Sequence, residues 1–277
     1  MVLVTASALP RPDADEGPLE AAVAARGLRA TTRAWDDPGM DWADARLCVI
    51  RSTWNYVQHY QRFLGWAEAC ARVARLENSW PVVRWNSHKS YLLELAARGL
   101  PVVPTELVRR GGSADLEAAM AAWGELVIKP AVSVGSIDTM RAGRARLLEA
   151  RRHLEGLAAR GDVLVQPYYR SVETHGERCL IWIAGAFTHA VRKGARFAAD
   201  DERVSDAVPI ADDERAVAER LLAAAPGPLL YARVDLARDD HGQPRLMELE
   251  LVEPCLFLDR APAARERLAD AVAERAR

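Results

Sequence analysis

The stretch YARVDLARDDHGQPRLMELELVEP, residues 231–254, decides the fold. Two runs rich in Leu and Val flank the turn sequence DDHG, which predicts a β-hairpin. Glu248 and Glu250 are two residues apart in the second strand, so both carboxylates point to the same face of that strand. Asp235 lies 13 residues before Glu248, on the other side of the turn. It can therefore face Glu248 from the neighbouring strand.

Three carboxylates on one face of an apolar hairpin are costly to bury without a cationic partner. Hard divalent cations take such oxygen ligands, and Mg²⁺ in particular combines a few carboxylates with substrate phosphates. The pair Glu248 and Glu250 alone also fits ion pairs with arginines at a sheet edge. With Asp235 and Arg233 on the partner strand, the pattern favours a metal site.

Composition narrows the class of protein. The 277 residues are 50% hydrophobic, enough to form one large domain or two or three smaller lobes. Lys+Arg number 37 and Asp+Glu 39, so the net charge of −2 gives no reason to expect a nucleic acid or membrane partner. The four cysteines form no C-x-x-C pair, and neither a signal peptide nor a membrane span is evident. We expect a soluble, reduced, cytoplasmic protein.

The order of predicted elements indicates an α/β protein that becomes α+β in its C-terminal lobes. In residues 1–85, the strands MVLVTA, RATTRAW and LCVIR alternate with helices at 16–27 and 58–76, which predicts a parallel sheet with ligands at its carboxyl ends. Residues 86–170 are expected to form a second lobe. Residues 171–277 are expected to form a third, with a hairpin turning at Gly185 before the hairpin quoted above. The polar segment 194–210 is a candidate mobile loop.

The turn after LCVIR is a candidate substrate site. It consists of Arg51, Ser52, Thr53 and Trp54, and offers a guanidinium, two hydroxyls and an indole to a small zwitterion. The alternative is that Arg51 is a buried ion-pair partner and that Trp54 and Tyr56 are packing anchors for the following helix.

Lys129 ends the apolar run ELVIKP and precedes a loop of small residues. Ser133, Gly135 and Ser136 in this loop can offer backbone N–H groups to phosphate oxygens, while the lysine supplies a point charge. Alone the signal is weak. Lys89 and Lys193, each taken singly, fit ordinary surface lysines.

Together these motifs resemble the ATP-grasp superfamily of carboxylate–amine ligases. KP with the small-residue loop, VLVQP, GER, RVDL and ELE follow one another in that order between residues 129 and 250. RVDL and ELE are especially similar to the D-alanine–D-alanine ligases. VIRSTWNY, VVRWNSHKSYLLEL and ELELVEPCLFL are similar to the subgroup that includes D-cycloserine synthetase. The resemblance implies an ATP-grasp fold: a pre-ATP-grasp domain over 1–85, a small lobe over 86–170, and a lobe with the metal site over 171–277, the two lobes sandwiching ATP.

The resemblance also implies which residues bind ATP. Lysines hold the phosphates, a segment between the lobes lines the adenine, an acid binds the ribose hydroxyls, and a basic residue reaches the terminal phosphates. The phosphate-binding lysines correspond to Lys89 and Lys129, and the acid that binds the ribose corresponds to Glu177. The segment that lines the adenine corresponds to Gln166, Pro167, Tyr168 and Tyr169. The basic residue at the terminal phosphates corresponds to Lys193 or, less closely matched, to Arg192.

The remaining matches concern chemistry. Arg233 matches the arginine that stabilises the transferring phosphoryl group. Asp235, Glu248 and Glu250 match the ligands of Mg²⁺, two ions bridging the phosphates. Glu250 departs from the asparagine that many members carry, and the segment 194–210 lacks their paired glycines. Glu253 is either a substrate residue or a solvated strand end.

The implied reaction activates a carboxylate as an acyl-phosphate and joins it to an amine, releasing ADP and phosphate. The substrate is expected to be small and amino-acid-like, joined to a second molecule or closed into a ring. Alternatives are a ligase that adds amino acids to a peptide or protein terminus, and a nucleotide-binding protein without ligase activity. The intact lysines and acids argue against the last. Relatives suggest a homodimer.

Overall fold

Parallel strands form the N-terminal sheet, in the order β2-β1-β3-β4. This computed structural model describes residues 1–194 and 203–277. The strands are β1 (Val2–Thr5), β2 (Thr31–Ala34), β3 (Leu47–Ser52) and β4 (Arg75–Glu77). Every residue of β3 is buried, as expected of a strand covered on both faces. Helices α1 (Glu16–Ala24) and α2 (Tyr60–Val73) connect the strands.

The helix expected over 58–76 is shorter than predicted. It begins at Tyr60 and ends at Val73, because Ala74 is extended and the chain enters β4. Leu76 is buried there and pairs with Cys48 of β3. Pairing with the sheet thus overrides the helical pattern of the sequence.

The second sheet has the order β5-β8-β6-β7 and is antiparallel. Its strands are β5 (Glu106–Val108), β6 (Leu126–Pro130), β7 (Met140–Ala142) and β8 (Val163–Pro167). Helices α5 (Leu116–Trp123) and α6 (Leu147–Ala158) pack on it around Leu126, Ile128 and Leu154. Before it come α3 (Trp80–Asn86) and α4 (Tyr91–Ala97).

The third sheet contains both predicted hairpins, which are confirmed. Its order is β10-β9-β11-β12, all antiparallel. The strands are β9 (Glu177–Ile183), β10 (Ala186–Lys193), β11 (Tyr231–Arg238) and β12 (Pro244–Glu250). Gly185 adopts φ +92° at the turn between β9 and β10, a conformation that favours glycine. Helices α7 (Ser171–Thr174) and α8 (Asp212–Leu222) flank the sheet.

The last helix, α9 (Pro262–Ala276), returns to the N-terminal domain. Leu268 and Val272 pack in one apolar cluster with Leu19 and Val23 of α1. Arg26 donates to Asp270 at 2.6 Å across the same contact. The C-terminal end of the chain therefore packs on the domain that contains its N-terminal end. The predicted domain boundaries at residues 85 and 170 stay a prediction.

Residues 195–202 of the segment predicted as a mobile loop lie outside the described residues. In the part that is described, the Gly194 N–H donates to the Arg203 carbonyl at 2.9 Å. Val208 pairs with Ala190 of β10. Among the helices of the described residues, none is long and apolar enough to cross a lipid bilayer.

Candidate functional site

A cavity of about 660 Å³ lies between the second and third sheets and reaches the N-terminal domain. Most of the residues predicted for the site line it. They are Trp54, Lys129, Ser133, Gly135, Ser136, Gln166, Pro167, Tyr168, Tyr169, Glu177, Lys193, Arg233, Asp235, Glu248, Glu250 and Glu253. The predicted residues outside the lining are Arg51, Ser52, Thr53, Lys89 and Arg192.

The acidic centre of the cavity is set by the register of β11 against β12. Asp235 pairs with Glu248, and Arg233 pairs with Glu250. The prediction that Asp235 faces Glu248 from the neighbouring strand is thus confirmed. Because alternate residues share a face, all four side chains point into the cavity from the same side of the sheet.

Lysines and an arginine neutralise these acids. The Lys89 and Lys129 ammonium groups lie 3.2 and 3.9 Å from the Glu248 carboxylate. Arg233 donates to both oxygens of Asp235, at 2.8 and 2.7 Å, and also to Glu250.

Lys193, at the end of β10, is a further basic side chain that lies between two acids of the cavity. Its ammonium group lies 3.3 Å from Glu177 and 3.6 Å from Asp235. The cavity therefore contains carboxylates interleaved with ammonium and guanidinium groups.

The pKa values of Glu248 and Glu250 differ because different charges surround the two carboxylates. Burial would raise the pKa of Glu248, but Lys89 and Lys129 lower it below the usual range. Burial raises the pKa of Glu250 to about 8, despite Arg233 beside it, because Asp235 and Glu248 add like charge. The two glutamates of β12 therefore differ: Glu248 is stabilised in its ionised form, whereas burial and like charge favour the protonated form of Glu250.

The donor set fits a hard divalent cation. Asp235, Glu248 and Glu250 offer carboxylate oxygens on one face of the sheet, the kind of ligand that such a cation takes. Ligand atoms of Glu177, Cys179 and Asp235 lie within 4.8 Å of one another. Burial raises the pKa of the Cys179 thiol, and hard cations such as Mg²⁺ prefer oxygen to sulfur ligands. Oxygen ligands are therefore the ones to expect.

An apolar wall occupies the end of the cavity near β8. Tyr168 and Val172 are buried there, with Val127, Tyr169 and Met247 packed against them. The Arg141 guanidinium lies 3.7 Å from the centre of the Tyr168 ring, which fixes that ring. The wall is apolar, and its contact with adenine stays a prediction.

Lys89 ties the small-residue loop to the acidic centre. It is buried, and its ammonium group donates to the Ser133 carbonyl at 2.7 Å and to the Ser133 hydroxyl at 3.1 Å. Its backbone N–H donates to the Ala131 carbonyl at 2.8 Å. Lys89 therefore lies behind the loop rather than in the lining, and its contact with phosphate stays a prediction. Arg192 is exposed on β10, where it donates to the Thr174 carbonyl at 3.4 Å.

Arg51 is also placed behind the lining. It is 1% exposed, donates to the Pro254 carbonyl at 3.1 Å, and lies 3.6 Å from Asp15. This placement is the one expected of a buried ion-pair partner. Ser52 and Thr53 are fully buried, so of the predicted turn only Trp54 reaches the cavity.

Sequence reasoning did not assign Arg11, Cys255 and Phe257 to the site. Arg11, Cys255 and Phe257 line the cavity, and the Arg11 guanidinium lies 5.4 Å from the centre of the Trp54 ring. Arg11 follows β1, so the rule that ligands bind at the carboxyl ends of parallel strands could have found it. Cys255 and Phe257 follow the last strand without a chemical pattern of their own.

Comparison with known proteins agrees with this geometry. Residues 1–78 match the family model of the D-cycloserine synthetase DcsG N-terminal domain. The chain is 37% identical to the cycloserine biosynthesis protein DcsG of Streptomyces lavendulae over 95% of this chain and 94% of that protein.

Solved structures give the same result. The crystal structure of D-cycloserine synthetase DcsG superposes with a TM-score of 0.91 at 36% identity, covering 100% of this chain and 99% of that one. The ATP-grasp ligase PsnB, solved with a precursor variant, Mg and ADP, has a TM-score of 0.66 at 18% identity, covering 100% and 98%. The latter likeness concerns the fold, and confirms the expected α/β ATP-grasp architecture. The chain belongs to the D-cycloserine synthetase DcsG family, and is an ADP-forming ligase of the ATP-grasp type.

Proposed function

We propose that this enzyme uses ATP and Mg²⁺ to activate a substrate carboxylate as an acyl-phosphate and then forms an amide by attack of a nitrogen. The observation that carries the proposal is the pairing of Asp235 with Glu248 in one cavity with Lys129, Lys193 and Arg233. Acids for metal ions and bases for phosphates are the two sets of groups that phosphoryl transfer requires.

In the first step a carboxylate oxygen attacks the γ-phosphorus, and the bond between that phosphorus and the oxygen of ADP breaks. Arg233 lies between Asp235 and Glu250, so its guanidinium is oriented before substrate arrives. Lys129 and Lys193 supply point charges to the phosphate oxygens. Magnesium, held by Asp235, Glu248 and Glu250, would neutralise the remaining phosphate charge.

In the second step the nitrogen attacks the acyl carbon, and inorganic phosphate leaves with the broken C–O bond. The nitrogen loses its proton as the amide forms. Positioning and electrostatics account for this chemistry, so no Ser, Cys or His nucleophile is required.

The substrate class follows from the family. D-Cycloserine is a five-membered ring whose amide nitrogen is bonded to oxygen. Opening that amide gives a D-amino acid whose side chain ends in an oxygen-linked nitrogen. We propose that such an amino acid is the substrate, that the ring closes within one molecule, and that the enzyme acts in cycloserine biosynthesis. Two bound Mg²⁺ ions, a homodimer and a cytoplasmic location remain predictions.

The test is incubation with ATP, Mg²⁺ and a panel of amino acids, with phosphate release as the readout and mass spectrometry of the products. The panel contains O-amino-D-serine, its derivatives substituted on the aminooxy nitrogen, their L enantiomers, and D-alanine. Phosphate release with a cyclised product from the D-aminooxy compounds alone is expected. Phosphate release with a dipeptide product would contradict ring closure, and no release with any member would contradict the substrate class.

A further inference from the structure

We propose that Glu253 binds the α-ammonium group of the amino-acid substrate. This inference rests on the proposed function, since it assumes that the cavity takes an amino acid beside the nucleotide. Glu253 lies three residues beyond the end of β12, past the facing pairs of the hairpin. Its side chain lines the cavity.

The N-terminal domain fixes Glu253 in place. The Tyr56 hydroxyl interacts electrostatically with the Glu253 carboxylate, and Tyr56 is only 3% exposed. The Trp54 indole N–H donates to the Glu253 carbonyl at 3.1 Å. Both residues lie in the short 3-10 helix Trp54–Gln58 that follows β3, so this segment contributes to the substrate site mainly by orienting a carboxylate.

Glu253 differs from Glu248 in its partners. Glu248 has lysine ammonium groups at 3.2 and 3.9 Å. Within residues 1–194 and 203–277, no Lys, Arg or His nitrogen lies within 4.0 Å of the Glu253 carboxylate. Burial and the nearby Glu248 raise the pKa of Glu253 to about 7, although the more distant charges of Lys89 and Arg233 act in the opposite direction. A half-buried carboxylate in this environment is suited to a cation that arrives with the substrate.

The position also suits the geometry of an α-amino acid, which has its ammonium and carboxylate groups on one carbon. The carboxylate must reach Arg233, where phosphoryl transfer takes place. Arg233 donates to the Cys255 carbonyl at 3.3 Å, two residues from Glu253. The two groups of the substrate can therefore be bound together by neighbouring parts of the cavity.

The experiment compares two rings that differ only in the amino group: D-cycloserine and 1,2-oxazolidin-3-one. Binding of each to the enzyme loaded with ADP and Mg²⁺ is measured by calorimetry. The native enzyme is expected to bind D-cycloserine at least about tenfold more tightly, because a charged hydrogen bond is lost with the amine. Glu253→Gln should abolish this preference, whereas Glu253→Asp should retain part of it.

Two controls separate this role from others. ADP affinity should be unchanged in Glu253→Gln, since the apolar wall near Tyr168 lies at another part of the cavity. Tyr56→Phe should weaken the preference for D-cycloserine by freeing the carboxylate it orients. If Glu253→Gln does not bind ADP, the Glu253→Asp and Tyr56→Phe variants decide the question, and an unchanged preference in both would overturn the proposal.

The remaining outcomes are distinct. Equal binding of the two rings by the native enzyme would overturn the role of Glu253 and leave the ligase reaction intact. If Glu253→Gln still preferred D-cycloserine to 1,2-oxazolidin-3-one, the role of Glu253 would also be overturned. A loss of Mg²⁺ affinity in this variant, with that preference unchanged, would overturn it as well. Binding of neither ring would count against a cycloserine-type reaction itself, and against the inference with it.

Discussion

Asp235 of β11 faces Glu248 of β12 in direct register, and each carboxylate is matched by a basic side chain from another element. Arg233 lies two residues before Asp235 and bonds to both of its oxygens. This arrangement places the proposed metal ligands and the proposed phosphate-binding groups in contact with one another. Its consequences can be measured residue by residue.

Glu248→Gln is expected to lower kcat by more than about a hundredfold. Substitution of residues that only support the metal ligands already lowers metal affinity or activity by about 10–100-fold. The amide keeps the size of the side chain but removes the charge that Lys89 and Lys129 face. Phosphate release and thermal unfolding are the measurements, with the exposed Glu219→Gln as control. Near-normal turnover at saturating Mg²⁺ would show that Glu248 is not a metal ligand.

Lys129 and Arg233 are expected to separate binding from chemistry. Lys129→Ala should weaken ATP binding, because it removes a charge that contacts the nucleotide in both ground and transition states. Arg233→Lys should leave ATP affinity nearly unchanged and depress kcat, because its contact strengthens in the transition state. Lysine is chosen because alanine would leave Asp235 and Glu250 without their buried partner. Equal losses of ATP affinity in the two variants would refute this division of roles.

Arg51→Ala is expected to destabilise the protein by about 3 kcal/mol, the usual loss when one partner of a buried ion pair is removed. Asp15 would lose its partner, and the Pro254 carbonyl would lose a donor. Chemical denaturation measures the effect, with exposed Arg33→Ala as control. A large rise in the KM of the amino acid alone, with normal stability, would instead support direct contact between Arg51 and substrate.

Gly176→Ala is expected to impair activity more than Gly185→Ala. Both glycines have positive φ, +80° and +92°, so both substitutions introduce backbone strain. A Cβ at Gly176 would lie 2.8 Å from the Lys193 carbonyl, whereas at Gly185 it meets nothing within 4 Å. Displacement of Lys193 and of the adjacent Glu177 should reduce kcat. Similar activity in the two variants would show that strain, and not the contact with Lys193, decides the outcome.

Asp162 is expected to make stability depend on pH. Burial alone would raise its pKa, but donation from the Arg110 N–H and the Arg109 guanidinium, both at 2.8 Å, lowers it below the usual 3.8. A lowered pKa means that the folded state favours the ionised form. The stabilisation is therefore present above pH 3.8 and is lost as pH falls through the folded pKa.

The measurement is the free energy of unfolding of the native protein and of Asp162→Asn at pH 7 and pH 3. At pH 7 the variant should be less stable by about 1 kcal/mol, the usual contribution of such hydrogen bonds. At pH 3 the difference should shrink. A difference that is equal at both pH values would contradict the assigned cause.

The parts of the fold that follow a local pattern could be predicted from the sequence. The hairpin at Gly185 and the pairing of Asp235 with Glu248 depend on turn chemistry and on the two-residue period of strands, which a single sequence displays. The strand at Leu76 could not be predicted, because its only support is pairing with β3, far away in sequence. The packing of α9 on α1 depends on contacts between the two ends of the chain, which no local pattern specifies.

The site shows the same limit. Residue types identified the acids, but they did not show which basic groups lie in the cavity and which lie behind it. Arg51 and Trp54 are three residues apart, yet only Trp54 reaches the cavity. Arg51 is turned toward Asp15 and Pro254, which come from distant parts of the sequence.

The ion pairs of Lys89 and Lys129 with Glu248 make ligand binding an exchange of partners rather than a simple addition. With the proposed roles, a cation on Glu248 would release these lysines for the phosphates, and phosphates that attract the lysines would release Glu248 for the cation. Each ligand thus removes a competitor of the other. The two affinities are consequently linked, and by thermodynamic reciprocity magnesium must tighten nucleotide binding by the same factor as nucleotide tightens magnesium binding.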